Sequence, residues 1–137
     1  MVTKKYLKQL TYDVLGAAIE VHKHLGAGLL ESVYHKCLLK EFIEQSIPFQ
    51  SEVNVPVQYK GLEVSTDLRC DFFVQDILVV ELKAVDSILP IHEAQLLTYM
   101  KLLKAPKGIL LNFNAVNLFR CGQKTFVNEY FTSLIEG

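Results

Sequence analysis

Residues 67–83 read Asp67-Leu68-Arg69-Cys70-Asp71-Phe72-Phe73-Val74-Gln75-Asp76-Ile77-Leu78-Val79-Val80-Glu81-Leu82-Lys83, and they decide the fold. Residues 67–74 alternate, with Leu68, Cys70, Phe72 and Val74 on one face and Asp67, Arg69, Asp71 and Phe73 on the other. Residues 77–80 are uninterrupted Ile, Leu, Val and Val, the pattern of a strand covered on both faces. Gln75-Asp76 between them predicts a tight turn, so the two halves pair antiparallel as a hairpin. The period of two then sets Glu81 and Lys83 on one face and Leu82 on the other.

The hairpin brings Asp71 toward Glu81 and Lys83. Carboxylates and an ammonium at the edge of a buried sheet are costly unless paired or bound to a metal. From this stretch alone two readings stand side by side: a structural ion pair between Lys83 and Asp71 or Glu81, or a functional cluster.

Outward from the hairpin, periodicity gives the other elements. Leu7, Leu10, Val14, Ala17, Ala18 and Val21 recur at helical steps over residues 6–24, and Gly26 stops that helix. His22 and His24 are two apart and cannot both face one helix-borne metal. A second helix over residues 30–45 carries a stripe of Leu30, Val33, Tyr34, Cys37, Leu38 and Phe42. At about 100° per residue, Glu31 lies within roughly 20° of Leu38, on or beside the buried face. The helix dipole favours a Glu at this end of the axis but does not set its direction.

Residues 46–63 read as strand material around a turn, with Val53, Val55 and Val57 alternating, and they complete an antiparallel three-strand meander. Pro90 opens a helix over residues 91–103. Its expected core stripe is Ala94, Leu96, Leu97, Met100 and Leu103, beside a second stripe of His92, Gln95, Tyr99 and Leu102. Residues 109–113 form a buried strand, parallel to 77–83 through the helical crossover. Residues 116–120 predict one more strand, and residues 126–135 a short strand or helix.

At 137 residues, half of them apolar, the chain suits one domain, residues 1–137, with one core. No apolar run approaches the roughly 20 residues of a membrane span. The opening residues lack a signal-type apolar block, which predicts a cytoplasmic protein. Cys37, Cys70 and Cys121 match neither a disulfide framework nor paired zinc-ligand spacing. A net charge of −1 argues against a strongly basic nucleic-acid binder. The basic residues are scattered, with two small groups, Lys4, Lys5 and Lys8, and Lys101, Lys104 and Lys107.

Asp71 followed by Glu81-Leu82-Lys83 resembles the core of the PD-(D/E)XK nuclease superfamily. Gly28-Leu29-Leu30-Glu31-Ser32-Val33-Tyr34 resembles the block that names the GxxExxxY protein family, a branch of that superfamily, with two residues rather than three between Glu31 and Tyr34. The similarity runs through Val21-His22, Leu25-Gly26, Arg69-x-Asp71, Glu81-Leu82-Lys83-Ala84, Gln95-x-x-x-Tyr99 and Asn112-Phe113-Asn114. It keeps their order and covers nearly the whole chain.

The resemblance implies a restriction-endonuclease-like α/β core: two N-terminal helices, the strand meander, a crossover helix and returning strands in a mixed sheet. It implies metal-dependent hydrolysis of phosphodiester bonds, with Asp71 and Glu81 as direct ligands and Glu31 as a third, directly or through water. The backbone carbonyl of Leu82 completes that set. Lys83 would activate water or stabilise the transition-state charge, and Gln95 would support water or phosphate. Tyr34 and Tyr99 would buttress the carboxylates. An oxygen-rich set of this kind suits Mg²⁺, with Mn²⁺ fitting the same site. The implied partner is nucleic acid, DNA ahead of RNA, bound weakly by the chain alone and helped by a second copy or another protein. The alternative is a non-catalytic nucleic-acid or protein-interaction module that keeps the fold.

Overall fold

The structure is a computed structural model, and it describes residues 1–64 and 67–137. Helix α1 spans Lys4–Leu25, with Leu7, Leu10, Val14, Ala17, Ala18 and Val21 all buried, as the stripe requires. The Thr3 side chain caps it by accepting the Tyr6 N–H at 3.0 Å. Gly26 ends it at φ 69°, a left-handed turn residue whose N–H goes to the His22 carbonyl. Helix α2, Glu31–Glu44, buries Tyr34, Leu38 and Phe42. Leu30 and Val33, expected in its stripe, are exposed, because they precede or flank the narrow line facing the sheet.

Five strands form the main sheet, in the order β1 (Phe49–Asn54), β4 (Arg69–Val74), β5 (Leu78–Lys83), β6 (Lys107–Asn112) and β7 (Gln123–Val127). β4 lies between β1 and β5 and is antiparallel to both, and β5 and β6 run parallel through helix α3, Pro90–Leu103. The mixed α/β architecture expected from the sequence is the one observed. The Gln75-Asp76 turn takes φ values of 52° and 59°, and the Ile77 N–H closes it onto the Val74 carbonyl at 3.1 Å.

Three expectations need correction. The run Val53, Val55, Val57 is not one strand. Pro56 has no N–H to give to a ladder, and beyond it β2 (Val57–Tyr59) and β3 (Leu62–Val64) form a separate two-stranded sheet. The meander of the main sheet is therefore β1-β4-β5, with this hairpin inserted between β1 and β4. Residues 116–120 do not make a strand. Asn117 caps a helical turn, α4 (Leu118–Cys121), by accepting the Arg120 N–H at 2.9 Å. The tail yields both alternatives: the end of β7, then a turn of helix, α5 (Glu129–Thr132).

Two apolar layers sandwich the sheet. On one side α1 and α2 pack on Phe72, Val74, Leu78, Val80, Leu82, Ile109 and Leu111. On the other, Leu96, Tyr99 and Met100 of α3 pack on Cys70, Phe73, Val79 and Leu110. The third correction lies here. Cys70 joins the α3 side with Phe73, so the strict alternation of β4 breaks at Asp71. In α3 the buried line is Leu96, Tyr99 and Met100, while Ala94 and Leu97 face solvent. The helix approaches β6 so closely that a Cβ on Gly108 would lie 2.7 Å from Met100 Sδ and 2.9 Å from Leu96 Cδ1.

Candidate active site

The β4–β5 register runs Val74–Leu78, Phe73–Val79 and Phe72–Val80. Past that point carboxylates carry the links between the strands. The Asp71 N–H donates to Glu81 Oε1 at 2.9 Å, and the Leu82 N–H donates to Asp71 Oδ2 at 2.7 Å. Each acid thus holds the opposite strand's backbone. Glu81 is only 5 % exposed. Burial first, and then the neighbouring Asp71 charge, push its carboxyl up to about 9, while the Asp71 N–H and Lys83 pull the other way.

Glu31 opens α2 and stands exposed on the rim. Its carboxyl is raised, first by partial burial and then by Asp71, with Lys83 and His35 opposing. It acts on the pair through charge. Lys83 is half-buried and belongs to none of the ion pairs among the described residues, so the simple structural pairing of Lys83 with Asp71 or Glu81 is not made. The Leu82 side chain enters the α1/α2 core. Tyr99 approaches from α3. Its hydroxyl meets Gln95, and its pKa is raised by burial and then by Glu81.

Tyr34 does not reach the carboxylates. Its hydroxyl donates to the Gly26 carbonyl at 2.6 Å and accepts the Leu29 N–H at 3.2 Å, and its ring stacks on Phe113 at 4.6 Å. It ties down the loop that launches Glu31. His22 likewise fastens α1 to the Ala115 carbonyl at 2.9 Å. Asn112, 6 % exposed, clamps the exit of β5: its Nδ2–H donates to the Val85 carbonyl and its Oδ1 accepts the Val85 N–H.

Beside Asp71 lies a cavity of about 220 Å³ lined by Glu31, Ser32, His35, Lys36, Glu52 and Asp71. The sequence reading missed His35 and Glu52. His35 was legible as the residue four after Glu31, one turn along the same helix face. Glu52 had no such signal; it faces the cavity from β1 with φ at 50°. The two lysine groups meet elsewhere. Lys107, at the start of β6, has its ammonium pKa lowered by burial and then by Lys8. A cavity of about 620 Å³ near there is lined by Lys5, Tyr6, Lys8 and Tyr12. Tyr6 bonds Gln75 in the hairpin turn, so this basic region sits at the end of the sheet opposite Asp71.

Does this set suit a cation? Among the described residues no three His, Cys, Asp or Glu side chains stand as a ready-made cage. The Asp71–Glu81 pair nevertheless fits one. Each acid has one oxygen on a backbone N–H and a second oxygen left over, and a cation would offset the charge that burial disfavours at Glu81. Glu31 and Lys83 stand near enough to feel that charge.

Among the described residues no helix is long and apolar enough to cross a membrane. No curated protein and no solved structure matches the chain. Its five-stranded mixed sheet between helical layers is consistent with a restriction-endonuclease-like fold. The family model of the PD-(D/E)XK nuclease superfamily matches residues 8–125, from within α1 to within β7, and the chain belongs to that superfamily.

Proposed function

We propose that residues 1–137 form one metal-dependent nuclease domain of the GxxExxxY branch, hydrolysing phosphodiester bonds in nucleic acid, with DNA preferred over RNA. The observation that carries this reading is the pair of half-buried Asp71 and buried Glu81, interlocked with the backbone and left with an acid raised to about 9. A purely structural pairing would seat Lys83 on one of these carboxylates, and it does not.

In this reading Asp71, Glu81 and the Leu82 carbonyl hold Mg²⁺ or Mn²⁺, with Glu31 joining from the rim. A divalent cation supplies Lewis-acid polarisation of a phosphodiester oxygen and eases deprotonation of water. Lys83 directs its ammonium at the developing negative charge. Gln95, braced by Tyr99, orients water or phosphate from the α3 side. Tyr34 contributes by fixing the loop ahead of Glu31.

The test is cleavage of plasmid, single-stranded DNA and RNA with Mg²⁺, Mn²⁺ or EDTA. Metal-dependent cutting by the wild type, lost in Lys83→Ala, is the expected result. Equal cutting by both proteins would assign the activity to a contaminant or another site.

One observation favours a second reading, a non-catalytic module working in the cytoplasm with a partner or a second copy. The net charge is −1, and the meeting point of the two lysine groups lies at the far end from the carboxylates. Nucleic-acid binding without cleavage under any metal would support it.

A further inference from the structure

Asp71 is held by three hydrogen bonds. Two of those bonds lie within the β4–β5 hairpin: its N–H to Glu81, and its Oδ2 from the Leu82 N–H. The third comes from α2. His35 Nε2 reaches the Asp71 carbonyl at 3.4 Å. A carbonyl oxygen only accepts, so this bond requires the proton on Nε2. The ring is not free to turn away, because it stacks on Phe72 at 4.4 Å with planes 15° apart. Stacking fixes the plane, and the ring edge then points at the backbone of Asp71, the residue before Phe72 in β4.

The helix does not need His35 for its packing. Tyr34, Leu38 and Phe42 are fully buried and seat α2 on the core. A flat apolar ring would satisfy Phe72 equally well. What an apolar ring cannot supply is the N–H. His35 also stands four residues after Glu31, on the same face of α2 and in the same cavity. The helix therefore delivers Glu31 to the rim and, one turn later, a bond to the backbone of Asp71.

We propose that His35 is a positioning residue of the cation site: its Nε2–H bond to the Asp71 carbonyl registers α2 against β4 and sets the spacing between the Glu31 and Asp71 carboxylates. This rests on the metal-dependent reading above. The ligand class is a hard divalent cation, whose fixed coordination shell makes ligand spacing count. Groups that orient ligands in this way typically change metal affinity by 10-fold or more when removed.

The test is titration calorimetry with Mg²⁺ and Mn²⁺ on the wild type, His35→Phe and His35→Gln, with metal-free melts of all three. His35→Phe keeps a ring on Phe72 and loses the donor; His35→Gln supplies an amide N–H near the Nε2 position. His35→Leu serves the same comparison if the larger ring is not accommodated. The expected result is a loss of about tenfold in metal affinity for His35→Phe, substantially restored in His35→Gln, with the metal-free melting temperature of His35→Phe little changed. A merely structural residue would show the reverse: a lower metal-free melt and unchanged affinity per folded molecule. Unchanged affinity in His35→Phe, or a loss that His35→Gln does not recover, overturns the proposal and leaves the nuclease reading standing. A wild type that binds neither ion overturns both.

Discussion

Strand β5 has two neighbours and treats them differently. Against β6 the register runs without a break from Leu78–Lys107 to Lys83–Asn112. Against β4 it stops at Phe72–Val80, and the carboxylates of Asp71 and Glu81 carry the links beyond. A backbone ladder is neutral and its partners satisfy each other wherever the strands lie parallel to the sheet plane. A fork closed by acids is different. Its links bring charge into a site that is 5 % exposed at Glu81, and burial then resists ionisation. The β6 side is where the chain is stable. The β4 side is where it stores an electrostatic conflict that a cation could resolve.

The largest effect separating the two sides is expected from Lys83→Ala. Lys83 belongs to no ion pair among the described residues, so its loss leaves the fold intact. Metal-dependent cleavage falls by about 10²–10³-fold or more, measured as initial rates at fixed metal with circular dichroism as the control. A variant of equal rate would remove Lys83 from the mechanism.

Gly108→Val probes the other side. Its Cβ would lie 2.7 Å from Met100 Sδ and 2.9 Å from Leu96 Cδ1, so these side chains must repack between α3 and β6. Overpacking of this kind costs about 1–3 kcal/mol in a denaturant melt. Because the proposed ligands lie on α2, β4 and β5 and α3 carries only Gln95 and Tyr99, metal affinity per folded molecule should change far less than stability. A variant that loses its metal site before its stability would show that the two sides of β5 are not separable.

Acidity sharpens the comparison. In the metal-free folded chain, burial and Asp71 raise the Glu81 carboxyl from 4.5 to about 9. Between those values the folded state keeps a proton that the unfolded chain has released. The folded state binds more protons there, so stability is fullest below about 4.5 and declines as pH rises through about 9. Melts in EDTA should fall by a few °C across this window, and Glu81→Gln should flatten the slope. A wild-type melt that rises with pH over the same range would contradict the cause assigned to Glu81.

Much of this was legible in the chain itself. Period-two alternation and the apolar run of residues 77–80 located the central hairpin, and the stripe from Leu7 to Val21 located α1. These patterns are local and a single face imposes them. The parts that were not legible depend on partners far away in sequence. β1 ends at Asn54, and beyond Pro56 the chain pairs in a separate hairpin instead of continuing along β4. Asn117 turns residues 116–120 into a helical turn through one capping bond. Cys70 changes face where β4 meets the carboxylate fork. Within the site, Asp71, Glu81, Lys83 and Glu31 were readable from spacing, and the structure brings them into mutual electrostatic reach. The destinations of the Tyr34 hydroxyl and the His35 ring edge were not readable. No periodicity says which carbonyl a side chain will find.

The most direct test of the fork as a cation site is a set of four thermal melts: wild type and Asp71→Asn, each with and without Mg²⁺ at matched ionic strength. A cation that binds only the folded state at tenfold excess over its dissociation constant adds about 1.4 kcal/mol. For a domain of this size that is a rise of roughly 4–8 °C in the wild type. Asp71→Asn removes, at nearly constant volume, the charge that together with burial holds the Glu81 carboxyl up. It should melt at or above the metal-free wild type and show little response to Mg²⁺. A wild type indifferent to both Mg²⁺ and Mn²⁺, with Asp71→Asn strongly destabilised, would contradict the account and make the pair a structural clasp.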